Sequence, residues 1–167
     1  LLMRTVVTIT AHGSSASPRT PAVEEAFAAI LAGVAIFDRR NPASALGALN
    51  TAGSLENAPA PLLAVLEEAR ILGLASGHLF NPAIQPVVDL LTANKTTKQH
   101  IHVDAQALAH AMSLADPAAV SITGGRITLG KSGMGLTLDG IAKGHIADTA
   151  AAALTAAGIA NHMVNAG

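Results

Sequence analysis

A lysine at the start of a helix is the first residue of this sequence that could do chemistry. Lys143 follows Asp139 and Gly140, where the alternation of Leu136 and Leu138 gives way to helical spacing. Asp139 is expected to be the helix N-cap, which places Lys143 in the first turn. A cation there opposes the helix dipole, at a cost of roughly 0.3–1 kcal/mol. Because an anion would offset that cost, the free amides and the lysine together predict a phosphate site.

Ordinary structural explanations compete with this chemical one. A lysine in a first helical turn is also typical of a solvated surface. His145 and Asp148 lie three residues apart on one helix face, which favours an ordinary surface pair over a catalytic dyad. His100 and His102 would share one face of a strand and could bind a metal, but no third ligand is evident in the sequence. We therefore interpret these two histidines as exposed.

The composition excludes several classes of protein. The 50% hydrophobic content allows a buried core, and the net charge of -1 argues against a nucleic-acid partner. Without cysteine there is no disulfide, thiolate metal site or cysteine nucleophile. No apolar run approaches the roughly 20 residues that a membrane span needs, and the start is too short for a signal peptide. The sequence thus predicts no membrane span, and either a cytosolic protein or one whose targeting segment has been removed.

The elements that must position Lys143 are short strands and amphipathic helices. Gly124-Gly125 and the turn at 131–133 are hairpin candidates between strands. Because hairpins outnumber β-α-β units, we predict an α+β fold, with a largely antiparallel sheet packed with several helices. The predicted strands cover residues 6–9, 120–122, 126–129, 134–138 and 162–165, and the predicted helices cover residues 20–34, 44–50, 61–75, 81–91, 104–114 and 141–154.

Four stretches, in order along nearly the whole chain, resemble one family: the flavin transferases that attach FMN to other proteins with FAD as donor. The stretch 136–148 resembles that family's strand-to-helix motif. Residues 44–50 resemble its serine-to-asparagine turn, and residues 77–86 resemble its Gly-x-Phe-Asp-Pro segment. Residues 164–167 resemble a stretch that members continue with Gly-Asp. The ordered set is much more specific than any one of these motifs.

The resemblance implies an FAD:protein FMN transferase. In that family a divalent cation, usually Mg²⁺, polarises the FAD pyrophosphate, and AMP leaves. FMN becomes esterified through its phosphate to a threonine hydroxyl of an acceptor protein. Such chemistry depends mainly on charge neutralisation and in-line positioning. The family usually works outside the cytoplasmic membrane. The resemblance therefore also implies a protein in the periplasm or at the outer face of the cytoplasmic membrane, whose signal peptide is missing from this sequence.

The site residues are carried over from the family motifs position by position. Without the family, Met3 and Phe80 would be core residues, and residues 44–50 would be a capped helical turn. The resemblance instead implies FAD contacts at Met3, Arg40, Leu79, Phe80, Asn81, Thr137 and Lys143, and a metal contact through the backbone carbonyl of Gly140.

The sequence departs from the family pattern in three places. Asn81 replaces the usual aspartate, and Thr137 stands where some members have aspartate. The remaining metal ligands of the family, an aspartate and a threonine, belong to a C-terminal segment beyond residue 167, and one carbonyl cannot hold Mg²⁺. We therefore expect residues 1–167 to be the N-terminal and central part of a single domain, with the catalytic residues beyond it. Two alternatives stay open: a non-catalytic FAD-binding protein, and a fragment that needs a second chain to complete the site.

Overall fold

The computed structural model describes residues 5–12, 19–94 and 103–166, and these form two compact units. We call Leu1–Asp38 together with Asp139–Gly167 the terminal unit, and Arg39–Leu138 the central unit. In chain order the elements are β1 (Thr8–His12), α1 (Arg19–Phe37), α2 (Ala45–Ala52), β2 (Ser54–Leu55), α3 (Ala60–Ala75), α4 (Gln85–Ala93), α5 (Ala105–Leu114), β3 (Val120–Thr123), β4 (Arg126–Leu129), α6 (Ala142–Ala156) and β5 (Asn161–Asn165), with single 3₁₀ turns at Pro82–Ile84 and Pro117–Ala119.

The terminal unit is built on two packed helices and a two-stranded sheet. Strands β1 and β5 pair antiparallel, from Thr8 opposite Asn165 to His12 opposite Asn161. Helices α1 and α6 approach closely at Gly33, where an added Cβ would lie 2.6 Å from Cγ1 of Ile146. The apolar side chains buried in this unit include Ala26, Ile30, Phe37, Ile146 and Leu154.

The central unit combines four helices with a three-stranded sheet. Its strands lie in the order β2-β4-β3, and both pairings are antiparallel. The hairpin of β3 and β4 turns at Gly124 and Gly125, whose φ angles of +60° and +82° fit a turn that favours glycine. The side chains buried in this unit include Leu46, Leu49, Leu62, Val65, Ile127, Leu136 and Leu138. The predicted α+β class is therefore confirmed, with all the described strand pairs antiparallel.

Side-chain caps mark where two of the predicted helices, α2 and α5, begin. Ser44 caps α2 by accepting a hydrogen bond from the backbone N–H of Gly47 at 2.9 Å. Asp104 caps α5 in the same way, and Asn81 caps the 3₁₀ turn before α4. At the other end, Gly53 adopts the left-handed conformation that closes α2.

Two local predictions around the strand-to-helix stretch are wrong. Residues 134–138 form no strand with a backbone partner, because side-chain and loop groups occupy their hydrogen-bonding positions instead. The N-cap of α6 is Ile141 and not Asp139. Residues 139–141 form a turn, so the first helical hydrogen bond joins the N–H of His145 to the carbonyl of Ile141.

Helix α1 bears on the prediction that the chain has no membrane span. Its segment Thr20–Phe37 has a mean hydropathy of 1.5 and is long and apolar enough to cross a membrane by length and composition alone. The sequence estimate overlooked it because Glu24 and Glu25 interrupt the apolar run. One such helix is weak evidence for a span, since core helices of soluble proteins meet the same criterion.

Candidate functional site

The central unit brings Asn81 and Thr137 close together through Pro82. The backbone N–H of Thr137 donates to the carbonyl of Pro82 at 2.8 Å. Asn81 is fixed beside it from both ends of its amide: Oδ1 accepts from the N–H of Ala83 at 2.9 Å, and Nδ2 donates to the carbonyl of Ala115 at 2.9 Å. Two residues assigned to FAD, 56 positions apart in sequence, are thus neighbours in one unit.

A second connection ties the same stretch to α2. The side-chain amide of Asn50 accepts from the N–H of Leu136 through Oδ1 and donates to the carbonyl of Leu136 through Nδ2, each at 2.8 Å. Asn50 therefore satisfies both backbone groups of Leu136. Gly135 leaves space for the side chain of Gln85, since an added Cβ would lie 3.0 Å from Cγ of Gln85. Three of the four stretches singled out in the sequence, 44–50, 77–86 and 136–148, thus meet at residues 135–137.

The other residues assigned to FAD in the central unit differ in exposure. Arg40 is exposed, and Phe80 is half-buried, with its N–H donating to Oγ of Ser76 at 3.0 Å. Leu79 is 91% exposed. It follows His78, whose φ of +66° belongs to the left-handed region that disfavours residues with a Cβ. A large apolar side chain held in water beside a strained turn is available to cover part of a ligand.

Sequence reasoning missed a polar cluster next to Arg40. The Arg39 side chain is only 7% exposed and lies 3.7 Å from Oδ1 of Asp89. Gln85 donates to the same oxygen from Nε2 at 2.6 Å, while its buried Oε1 has no hydrogen-bond partner in the described part of the chain. The spacing of Gln85 and Asp89, one helical turn apart, was a signal in the sequence for half of this cluster.

Of the predicted residues in the terminal unit, the structure describes Gly140 and Lys143. Gly140 is exposed in the turn before α6. Lys143 is the second residue of α6 and half-buried, so its predicted place in the first turn is confirmed. It lines a cavity of about 340 Å³ with Gly144, Ala147 and residues 163–166. The lysine and the last stretch singled out in the sequence therefore lie at one cavity. Met3 and Gly167 fall outside the described residues.

His145 packs against an aromatic ring. Its ring meets that of Phe37 edge to face, with centroids 5.6 Å apart at an interplanar angle of 73°. Within the described residues, no ion pair joins it to Asp148. His145 is thus part of the contact between α1 and α6, which favours neither the surface pair nor the dyad.

The oxygen donors of the described residues do not fit a Mg²⁺ site. Magnesium requires near-octahedral coordination by oxygen. The carbonyl of Gly140 supplies one oxygen, and residues 5–12, 19–94 and 103–166 contain no group of three His, Asp or Glu side chains placed to hold a metal. His100 and His102 lie outside these ranges.

A second cavity, of about 440 Å³, lies in the central unit and was not predicted. It is lined by residues 50–54, Leu129 and residues 131–134. Lys131 is held beside it by the carboxylate of Asp116 at 2.8 Å and the carbonyl of Ser113 at 3.0 Å. The hydrogen bond from Lys131 holds the pKa of Asp116 below its usual value.

A family model and several solved structures are similar to this chain. The sequence model of the ApbE family matches residues 3–167. No curated protein matches the chain. Among solved structures, flavin transferase ApbE from Vibrio cholerae has a TM-score of 0.88 at 19% identity, with 100% of this chain and 55% of that one covered. Flavinyl transferase ApbE from Pseudomonas stutzeri, apo form, has a TM-score of 0.82 at 21% identity, with 95% and 52% covered.

The ApbE protein of Thermotoga maritima is similar to the same degree, with a TM-score of 0.83 at 19% identity and 98% and 53% of the two chains covered. At such identities these structures show the shared fold alone. The chain spans about half the length of the solved proteins that it matches.

Proposed function

Because the chain belongs to the ApbE family, we propose that this protein takes part in transferring a flavin to another protein. The match of the family model over residues 3–167 carries the proposal. The geometry supports it in each unit: Asn81 and Thr137 are joined through Pro82, and Lys143 faces a cavity of about 340 Å³.

We further propose that FAD is the donor, that a threonine of an acceptor protein is the target, and that AMP is released. A threonine hydroxyl of the acceptor protein attacks the phosphorus on the FMN side of the FAD pyrophosphate. The bond from that phosphorus to the bridging oxygen breaks, AMP leaves with that oxygen, and the hydroxyl proton is released. A divalent cation such as Mg²⁺, when bound, would supply charge neutralisation on the pyrophosphate. The family resemblance gives this chain the part of binding and orienting FAD, through Met3, Arg40, Leu79, Phe80, Asn81, Thr137 and Lys143.

Incubation with FAD, Mg²⁺ and a threonine-containing acceptor protein tests this proposal. We expect a fluorescent flavinylated acceptor band and one equivalent of AMP. An acceptor with its target threonine replaced by valine is the matched control, because it keeps the shape and lacks the hydroxyl. Absence of both band and AMP would overturn the proposal. A band that persists with the valine acceptor would overturn the threonine target only.

The poor fit of the described residues to Mg²⁺ favours one alternative function. In this alternative, the protein binds FAD without splitting it. The described residues contain no group of three His, Asp or Glu side chains placed to hold a metal, and Asn81 lacks the charge of an aspartate. This alternative predicts saturable FAD binding that is insensitive to Mg²⁺ and releases no AMP. AMP release that depends on Mg²⁺ would reject it.

The family resemblance also underlies our proposal that the protein works in the periplasm, outside the cytoplasmic membrane. Cell fractionation with an antibody against the protein tests this, and recovery with the cytosol would contradict it.

A further inference from the structure

Asn50 takes the place of a strand partner for Leu136. In an antiparallel sheet, a hydrogen-bonded pair of residues exchanges two N–H···O bonds. A primary amide side chain carries the same donor and acceptor as a peptide unit. Asn50 uses both on Leu136, at 2.8 Å each, and so forms with one side chain what a neighbouring strand would form with its backbone.

The stretch held in this way carries a residue that we assign to FAD. Thr137 follows Leu136 directly, and its N–H is fixed by the carbonyl of Pro82 at 2.8 Å. Gly135, on the other side, admits no Cβ without moving Gln85. Three consecutive residues are thus each constrained by a different partner, and Asn50 supplies both hydrogen bonds of the middle one.

We propose that Asn50 is a positioning residue of the flavin site: its side-chain amide fixes the backbone at Leu136 and thereby the placement of Thr137 against FAD. The inference rests on the proposed function and deepens it, since family resemblance assigned no role to Asn50 beyond a turn. Because small displacements of a positioned group cost binding and rate steeply, the loss of these two bonds should weaken FAD binding far more than the loss of an ordinary helix hydrogen bond.

The experiment compares Asn50→Ala with Thr51→Val. Thr51 is the next residue of α2 and donates through Oγ1 to the carbonyl of Gly47 at 2.8 Å, so its substitution also removes a side-chain hydrogen bond but none to residues 135–137. FAD is titrated at a temperature where circular dichroism shows both variants folded. We expect the dissociation constant to rise about tenfold for Asn50→Ala and to change less than about twofold for Thr51→Val. Equal affinities for Asn50→Ala and the unsubstituted protein would overturn the inference.

Asn50→Asp supplies a second readout, the pH dependence of FAD affinity. A merely structural role of Asn50 would not change it. The ionised carboxylate accepts from the N–H of Leu136 but repels its carbonyl, whereas the neutral carboxylic acid can donate to that carbonyl. FAD affinity relative to the unsubstituted protein should therefore recover as the pH falls towards the pKa of the introduced carboxyl, ordinarily about 4. A ratio of affinities that does not change with pH would count against the inference.

Amide hydrogen exchange separates a failure of this inference from a failure of the proposed function, because it needs no ligand. In Asn50→Ala the amide of Leu136 should exchange at least about tenfold faster than in Thr51→Val. Unchanged exchange at Leu136 would overturn the positioning role itself. A third outcome is that the unsubstituted protein binds no FAD while the amide of Leu136 still exchanges faster in Asn50→Ala. That outcome would overturn the proposed function and the flavin role of Asn50, but not the hydrogen-bonded geometry.

Discussion

The two units hold their predicted FAD residues by different kinds of interaction. In the central unit, Asn81 and Thr137 are fixed by polar contacts between distant parts of the chain, such as the bond from Asn81 to the carbonyl of Ala115. In the terminal unit, Lys143 lies on a helix that is fixed by apolar packing against α1. The comparison indicates that the central residues depend on a few directional bonds, whereas the lysine depends on the helix beneath it.

Removing the largest apolar side chain from the terminal unit should have the largest effect. Phe37 is 2% exposed and packs edge to face against His145. We expect Phe37→Ala to lower the free energy of unfolding by about 3–5 kcal/mol, measured by urea denaturation. Leu31→Ala on the same helix is the control, because Leu31 is 55% exposed, and its effect should stay within about 0.5 kcal/mol. Similar losses for the two variants would contradict the assigned core.

Two helix glycines, one in each unit, should respond to alanine with opposite signs. A Cβ on Gly47 would lie 2.0 Å from the backbone carbonyl oxygen of Asn41, so Gly47→Ala should destabilise the protein by at least about 2 kcal/mol. A Cβ on Gly144 meets nothing within 4 Å, so Gly144→Ala should stabilise it by about 0.5–1 kcal/mol. Thermal denaturation of both variants checks this. A stabilising effect of Gly47→Ala would show that Asn41 does not pack as closely against the start of α2 as the structure indicates.

Substitution can separate the contributions of the two hydrogen bonds that the Asn81 amide makes. Asn81→Ala removes the cap on Ala83 and the bond to Ala115, and should cost about 1–2 kcal/mol in the free energy of unfolding. Asn81→Ser keeps a capping oxygen and lacks the amide donor, so it should cost less than Asn81→Ala. Chemical denaturation of the pair measures the difference. An equal cost for both would mean that the bond to Ala115, and not the cap, carries the stabilisation.

Lys143 should matter for binding and hardly for stability. Lys143→Ala removes a cation from the positive end of α6, so the free energy of unfolding should change by less than about 0.5 kcal/mol while FAD affinity falls. Arg126→Ala, which removes one exposed cation of the central unit, is the control for net charge. Isothermal titration with FAD decides the binding effect. If Lys143→Ala were unfolded, Lys143 would instead be a residue that the fold requires.

The smallest effect concerns Asp116. Since the hydrogen bond from Lys131 lowers its pKa in the folded state, the contribution of this carboxylate to stability is present above its unfolded pKa and is lost as the pH falls through the folded pKa. Lys131→Met should return the carboxyl pKa towards its ordinary value. Carbon-detected NMR titration of Asp116 measures this, and an unchanged midpoint would show that the backbone amides at Ala118 and Ala119 set the pKa instead.

Local signals were sufficient for most of the fold. Apolar spacing at helical period predicted the helices to within a few residues, and residues 44–50 were correctly indicated as a capped helical turn. The glycine turn between β3 and β4 is likewise a local feature. By contrast, the pairing of β1 with β5 joins residues from the two ends of the sequence, and no local pattern indicates it.

The same limit explains the outcome at the candidate site. The sequence indicated which stretches matter, but residues 134–138 were predicted to be a strand because Leu136 and Leu138 alternate with small neighbours. The alternation correctly indicated burial, since both leucines are buried. It could not reveal that the hydrogen-bond partner of Leu136 is a side chain, because that depends on Asn50 being brought there by the fold. The FAD contacts and the carbonyl contact at Gly140 stay predictions.

The hydrogen bonds between Asn50 and Leu136 join residues 86 positions apart. Closing a loop of that length costs chain entropy before any contact is gained, so these bonds form only after much of the central unit has folded. Substitutions at Asn50 should therefore accelerate unfolding and leave the folding rate nearly unchanged. We therefore expect the hydrogen bonds next to Thr137 to form late in folding and to break early in unfolding.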